Sequence, residues 1–189
     1  MKTTLRQRAD KAKASRCKNL IAVLENPKTI ENVGSAVRNV DALGAEKLYV
    51  VDGYKLLPKK WEDMRERNSL NKISASAIKW TYVRVFPDTQ SCLDHLKHKQ
   101  FTSVVTSPHI KGKTNVTLED GKFTHHRLAV WFGNESHGVS ETAINGSDMC
   151  INIPMCGIIE SLNLGTSTGI VLYEITKQRQ KFSKRKKAI

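Results

Sequence analysis

Short apolar runs rich in Val, Ile, Leu and Tyr alternate along this chain with stretches of helical periodicity, and that alternation restricts the possible folds more than any other feature. Strands are expected at 20–24, 48–51, 83–86, 103–106, 128–132 and 149–153, and helices at 33–42, 89–97, 141–145 and 164–179. Strands joined through helices pair in parallel, with the helices on the sheet faces. The pattern therefore predicts an α/β domain with a mainly parallel sheet and flanking helices. Between the second and third runs, "LLPKKWEDMRERNSLNKISASA" mixes charge with weak periodicity. It reads as a loop with short helical turns, in a position suited to a binding lid. With 189 residues the chain can bury one core, so a basic extension over 1–19, a single domain over 20–180 and a basic tail over 181–189 are expected.

The formal net charge of +13 is concentrated at the two ends. Residues 1–19 hold seven Lys/Arg against Asp10, residues 177–189 hold seven against no acid, and the body between holds seventeen of each sign. Two basic ends flanking a neutral body point to a polyanion, because each phosphate neutralised releases counterions. Neither end carries an apolar stripe that could enter a membrane surface, which favours nucleic acid over lipid. No apolar segment approaches the roughly 20 residues needed to span a bilayer, and the expectation is a cytoplasmic protein with no membrane partner. Cys17, Cys92, Cys150 and Cys156 are scattered without a CxxC pair or nearby His cluster, so they read as reduced thiols, with no metal site indicated.

Ligands of open α/β sheets collect beyond the carboxyl ends of the strands, where loops and helix N-termini offer free backbone N–H groups. Three polar stretches occupy such positions. In "ENPKTIENVGSAVRN" a strand ends near Glu25, Asn26-Pro27 turns the chain, and Asn32 can cap a helix carrying Arg38. In "VWFGNESHGVSE" a buried strand runs into Gly133 and Glu135; the spacing excludes a GxGxxG nucleotide loop, and a plain turn before a helix capped by Ser140 is an equal reading. In "IPMCGIIESLNLGTSTGIVLYE" a turn precedes Ser161 and Asn163, whose spacing puts both on one side of an extended segment with Leu162 on the other. Each stretch taken alone is also an ordinary helix entrance.

Taken together, the three stretches resemble the signature motifs of the SPOUT superfamily of RNA methyltransferases, in its TrmH-like branch of tRNA and rRNA ribose 2′-O-methyltransferases. The similarity spans about 20–180 and rests on Asn32 with Arg38, on Gly133 with Glu135, and on "IPM.G...SLN" followed by a helix reaching "LYE". The end "ITKQRQ" also resembles the basic end of tRNA-specific members. The resemblance implies a C-terminal deep trefoil knot, S-adenosylmethionine as cofactor, and a homodimer whose active site is completed across the interface. It places Gly133, Ile153, Met155 and Leu162 around the cofactor, largely through main-chain atoms. Arg38, Asn32, Glu135, Ser161 and Asn163 become the catalytic set. A guanidinium stays protonated in proteins, so the role expected of Arg38 is to hold the adjacent phosphate and stabilise developing alkoxide charge, with Glu135 orienting it.

The implied reaction is methyl transfer to a ribose 2′-hydroxyl of tRNA, with the D-loop guanosine at position 18 favoured. The alternatives are another tRNA or rRNA ribose, or a non-catalytic RNA-binding protein of the same fold. Two departures from the family pattern bear on the substrate. The N-terminal extension is short, and Leu164-Gly165-Thr166 follows the SLN triplet where small residues are typical. The last helix carries Leu164, Ile170, Val171, Leu172 and Ile175 with Gly165, Ser167 and Gly169 between them, a pattern expected to let a second copy approach closely.

Overall fold

The computed structural model describes residues 4–109 and 114–187. Seven parallel strands form one sheet in the order β3-β2-β1-β6-β4-β7-β5. They are β1 (Cys17–Glu25), β2 (Ala45–Val51), β3 (Tyr82–Phe86), β4 (Thr102–Thr106), β5 (Asn115–Thr117), β6 (Leu128–Phe132) and β7 (Met149–Asn152). The helices are α1 (Leu5–Ser15), α2 (Ile30–Leu43), α3 (Trp61–Glu66), α4 (Asn68–Ile73), α5 (Thr89–His98), α6 (Glu141–Asn145) and α7 (Leu164–Lys187), with a 3-10 turn at Ala77–Lys79. All the expected strands and helices are present.

Both faces of the sheet are covered, as a parallel sheet requires. Along β1, Leu20, Ala22 and Leu24 point into a core shared with α2, α7 and the 57–78 segment, while Ile21 and Val23 point into a second core under α5 and α6. The central strand β6 repeats the alternation, with Leu128, Val130 and Phe132 on the first face and Ala129 and Trp131 on the second. These side chains are at most 1% exposed, which explains why the two strands read as unbroken apolar runs.

Two elements went unseen in the sequence. The three residues of β5 are too few to show a period, and they become a strand because the free edge of β7 pairs Val116 with Ile151. The helix α1 has no apolar stripe; it begins with a reciprocal cap in which Gln7 N–H donates to Thr4 Oγ1 at 3.2 Å and Thr4 N–H donates to Gln7 Oε1 at 2.9 Å. The cap of α2 is Thr29, not Asn32 as expected, since Thr29 Oγ1 accepts from Asn32 N–H at 3.3 Å and leaves the Asn32 side chain free. The segment expected to be a lid is part of the core. Met64, Leu70 and Ile78 are fully buried, and α4 lies so close to α2 that a Cβ on Gly34 would stand 2.5 Å from Ile73 Cγ2.

The chain lays β6 between β1 and β4 and then β7 between β4 and β5, so the 118–127 link must cross back over the sheet and meet α7. The threaded arrangement is that of an α/β knot. Arg179 fastens the crossing from inside, although a solvent-facing basic end was expected there. It is 9% exposed and its guanidinium donates to the carbonyls of His125, Phe123 (3.5 Å), His126 (3.3 Å) and Lys18 (3.1 Å) and to Cys17 Sγ (2.9 Å). Gln178 adds two bonds, accepting from Phe123 N–H and donating to Gly121 O, both at 3.1 Å. Arg179→Ala would strand these carbonyls, of which that of Phe123 is buried. A loss of about 3 kcal/mol in urea unfolding is expected, with Arg179→Lys recovering less than half of it because an ammonium cannot fan out to that many acceptors.

Candidate active site

The strand order brings the carboxyl ends of β6, β4 and β7 side by side, and the loops leaving them enclose a cavity of about 440 Å³. Thr106 ends β4 and Ser107–His109 follow it, Gly133–Val139 follow β6, and Ile153 and Met155 follow β7; residues 161–164 and Ser167, at the start of α7, close the wall. All four residues expected around a cofactor, Gly133, Ile153, Met155 and Leu162, line this cavity, as do Glu135, Ser161 and Asn163 from the catalytic set. Leu162 faces the same cavity as its two neighbours, so the SLN triplet is not the alternating strand its spacing implied.

The 133–140 loop is shaped by its own backbone. Asn134 and Gly138 exchange two main-chain bonds at 2.9 and 2.8 Å, which folds the loop so tightly that a Cβ on Gly133 would lie 2.1 Å from Gly138 C and Val139 N. Gly138 itself has φ +67, the left-handed region. The largely buried Asn134 side chain donates to Asn26 O at 2.6 Å and accepts from Ser136 N–H at 2.9 Å and His137 N–H at 3.3 Å. Motif spacing gave Asn134 no role. The signal lay in its position one residue after a buried strand, where a short amide commonly ties a turn.

Glu135 stands at the meeting of the three motifs. Its carboxylate accepts from Lys28 N–H at 3.3 and 3.1 Å and from the Asn32 side-chain amide, while Lys28 Nζ donates to Ser136 Oγ. Asn163 then reaches Asn32, Nδ2 to Oδ1 at 3.4 Å, and its own Oδ1 accepts from Gly165 N–H at 2.8 Å. Asn163 thus caps α7 and touches the site together, so the bland reading of that residue and the functional one are both true. The expected contact between Glu135 and Arg38 is not made, because the carboxylate is already engaged by the turn after β1. Arg38 is exposed on α2, outside the cavity lining, with no hydrogen bond or ion pair to another described residue. Ser161 likewise faces solvent without such a partner.

The cavity suits a ligand read through main-chain groups. No main-chain N–H of residues 155–162 donates to the backbone of another described residue, and Ile158 and Ile159 are 98% and 70% exposed. The main-chain donors of that turn are therefore available to a bound molecule. The polar side chains Glu135, Asn32 and Asn163 form a fixed cluster at its mouth.

A knotted, wholly parallel α/β domain with such a cavity at its strand ends defines a class, the α/β-knot transferases. The chain belongs to the SpoU rRNA Methylase family, whose profile matches residues 19–173. It is 31% identical over 176 residues to the tRNA (guanosine(18)-2′-O)-methyltransferase of Thermus thermophilus, covering 93% of this chain and 84% of that protein. The enzyme of the same description from Aquifex aeolicus is 31% identical over 166 residues, covering 87% and 72%. Among solved structures, the A. aeolicus TrmH/SpoU tRNA modifying enzyme superposes with a TM-score of 0.77 at 28% identity, covering 95% of this chain and 86% of that one. The SpoU methyltransferase AviRb from Streptomyces viridochromogenes, in complex with the cofactor AdoMet, superposes with a TM-score of 0.72 at 25% identity, covering 88% and 62%.

Gly133→Ala places a methyl group against backbone that has no room to retreat. It is expected to destabilise the protein by about 2–4 kcal/mol in denaturant unfolding and to disorder the loop, seen as loss of amide protection at 134–139.

Proposed function

We propose that this chain is an S-adenosylmethionine-dependent tRNA 2′-O-methyltransferase whose target is the D-loop guanosine at position 18. The observation that carries the reading is the convergence of all three motif stretches on one cavity, in a chain related over most of its length to guanosine-18 methyltransferases. A methyltransferase of 23S rRNA from Haemophilus influenzae is also related, at 28% identity over 171 residues, and an rRNA ribose is the second reading. Incubating the protein with labelled cofactor and either bulk tRNA or rRNA, then mapping the methylated nucleoside, separates them. Methylation confined to rRNA would overturn the tRNA reading. The proposed compartment is the cytoplasm, in keeping with a tRNA substrate.

The residues present fit this cofactor. When bound, it supplies the methyl group. The turn 153–157 and the SLN triplet would hold it through main-chain groups, with Gly133, Met155 and Leu162 of the cavity lining beside it. Glu135, held by Asn32 and the Lys28 N–H, and Asn163, held by the α7 cap, keep the ribose in line for displacement. Arg38 binds the adjacent phosphate and stabilises alkoxide charge as the 2′-hydroxyl proton leaves to phosphate or water. Arg38→Ala is expected to lower turnover by at least about a hundredfold with cofactor affinity within a few-fold, and Arg38→Lys to fail equally for want of the planar fork. A matching fall in cofactor affinity would move Arg38 out of this role.

The protein acts as a homodimer. A groove of about 580 Å³ runs between α2 and α7, lined by Ala42, Leu43, Leu118, Ile170 and Tyr173, with Ile170 39% and Tyr173 59% exposed. Within one chain the small residues of α7 already serve α2: a Cβ on Gly165 would lie 3.0 Å from Ser35 Cβ, and Asn39 Nδ2 donates to Gly165 O at 2.6 Å. Leu164, Val171, Leu172 and Ile175 are buried in their own domain, so the groove and its two exposed side chains are what remain for a second copy. Arg38, exposed on α2 and preceding the groove residue Asn39 in the chain, is the residue this dimer would lend to the cavity of the second subunit. Tyr173→Glu is expected to yield inactive monomers in sedimentation at micromolar concentration. Mixing Arg38→Ala with a cavity-defective Leu162→Arg chain restores activity if Arg38 acts across the interface, and restores none if it acts within its own chain.

A further inference from the structure

Glu25 is the last residue of β1 and is 2% exposed, behind the cavity and not in its lining. Leu24, which precedes it on β1, and Val51, which lies opposite it on β2, are apolar. A buried carboxylate with no counter-ion among the described residues is costly unless its lone pairs are taken by donors. Here they are. Thr89 Oγ1 and Ser140 Oγ both donate to Oε1, the second at 2.6 Å, and Ser140 N–H donates to Oε2 at 2.8 Å.

Ser140 ends the loop that begins at Gly133, and it caps α6 by accepting from Ala143 N–H at 3.1 Å. The start of the same loop is held by the next residue of β1's exit, where Asn26 O accepts from the Asn134 amide at 2.6 Å. Consecutive residues therefore grip both ends of the cavity loop. Asn26 is in turn fixed by φ +49 and by its Oδ1 accepting from Gly53 N–H at 2.9 Å, which ties the exit of β2 to the same point.

We propose that Glu25 is a positioning residue for the cofactor cavity: its grip on Ser140 holds the 133–140 loop in the shape that takes S-adenosylmethionine. The inference rests on the function proposed above. The work is done by hydrogen-bond geometry and not by negative charge. A glutamine of the same shape can accept from Ser140 N–H with its carbonyl and donate its two N–H groups to the Thr89 and Ser140 hydroxyls, which rotate to accept. An alanine removes the acceptor that all three donors share and leaves the end of the loop untied.

The test uses the full chain, with calorimetric titration of S-adenosylmethionine and, separately, amide hydrogen exchange in the cofactor-free protein. Glu25→Ala is expected to weaken cofactor binding about tenfold and to speed exchange locally at 134–140, while Glu25→Gln stays within about threefold with native exchange. Both variants binding and exchanging like the parent overturns the proposal. Glutamine failing as badly as alanine also overturns it, since charge would then be the requirement. A parent protein that binds no S-adenosylmethionine sinks the functional reading instead, and the exchange comparison still decides whether Glu25 holds the loop. Should Glu25→Ala not fold, Ser140→Ala removes one donor at an exposed position; it is expected to weaken the cofactor a few-fold, and unchanged affinity and exchange overturn the proposal.

Discussion

The pairing of β6 with β1 on one side and β4 on the other is the interaction on which the rest of this molecule depends. Main-chain bonds run from Leu20 opposite Leu128 to Leu24 opposite Phe132, and from Thr102 opposite Leu128 to Val105 opposite Trp131. By the time β6 is reached in the chain, both neighbours and the edge strand β5 have already been placed. Inserting β6 between them forces the 118–127 link back over the sheet, and inserting β7 beside β4 starts the last helix beyond that link. The knot and the cavity are two results of one pairing. The same insertion that crosses the chain also places the exits of β6, β4 and β7 next to each other.

An open edge would not have produced this site. Parallel strands direct their carboxyl ends to one side, and loops there can converge only if their strands are neighbours. The motif carrying Asn32 reaches the cavity differently. It follows β1, whose exit is bound to the β6 loop through Glu25, Asn26 and Lys28, so that the polar cluster of Asn32, Glu135 and Asn163 is assembled by contacts spanning more than a hundred residues of chain.

The distribution of charge takes on a different meaning in three dimensions. Arg16 pairs with Asp41, Arg179 is turned inward onto carbonyl oxygens, and Lys177 pairs with Glu174 at 2.8 Å. Part of the terminal excess of positive charge is thus structural. What remains exposed on α1 is Arg6, Arg8, Lys11 and Lys13, carried on a helix without an apolar face. Such a helix has little reason to pack on its own domain and is suited to follow a phosphate backbone.

The amino-acid sequence by itself determined the parallel α/β class, because doubly buried strands such as 20–24 and 128–132 must be apolar throughout, and it singled out the three polar stretches that meet at the cavity. The family resemblance, and not residue type, marked Gly133, Ile153, Met155 and Leu162, which line the cavity. Tertiary structure alone decided what each polar residue touches. Thr29 displaced Asn32 as the helix cap, Glu135 bonded to Asn32 and Lys28 in place of Arg38, Arg179 became a clasp, and Leu162 turned into the cavity. Spacing along a chain fixes which residues share an element. It carries no information on which carbonyls a guanidinium meets across 161 residues, as Arg179 does at Lys18, since that is set by the order in which strands are inserted into the sheet.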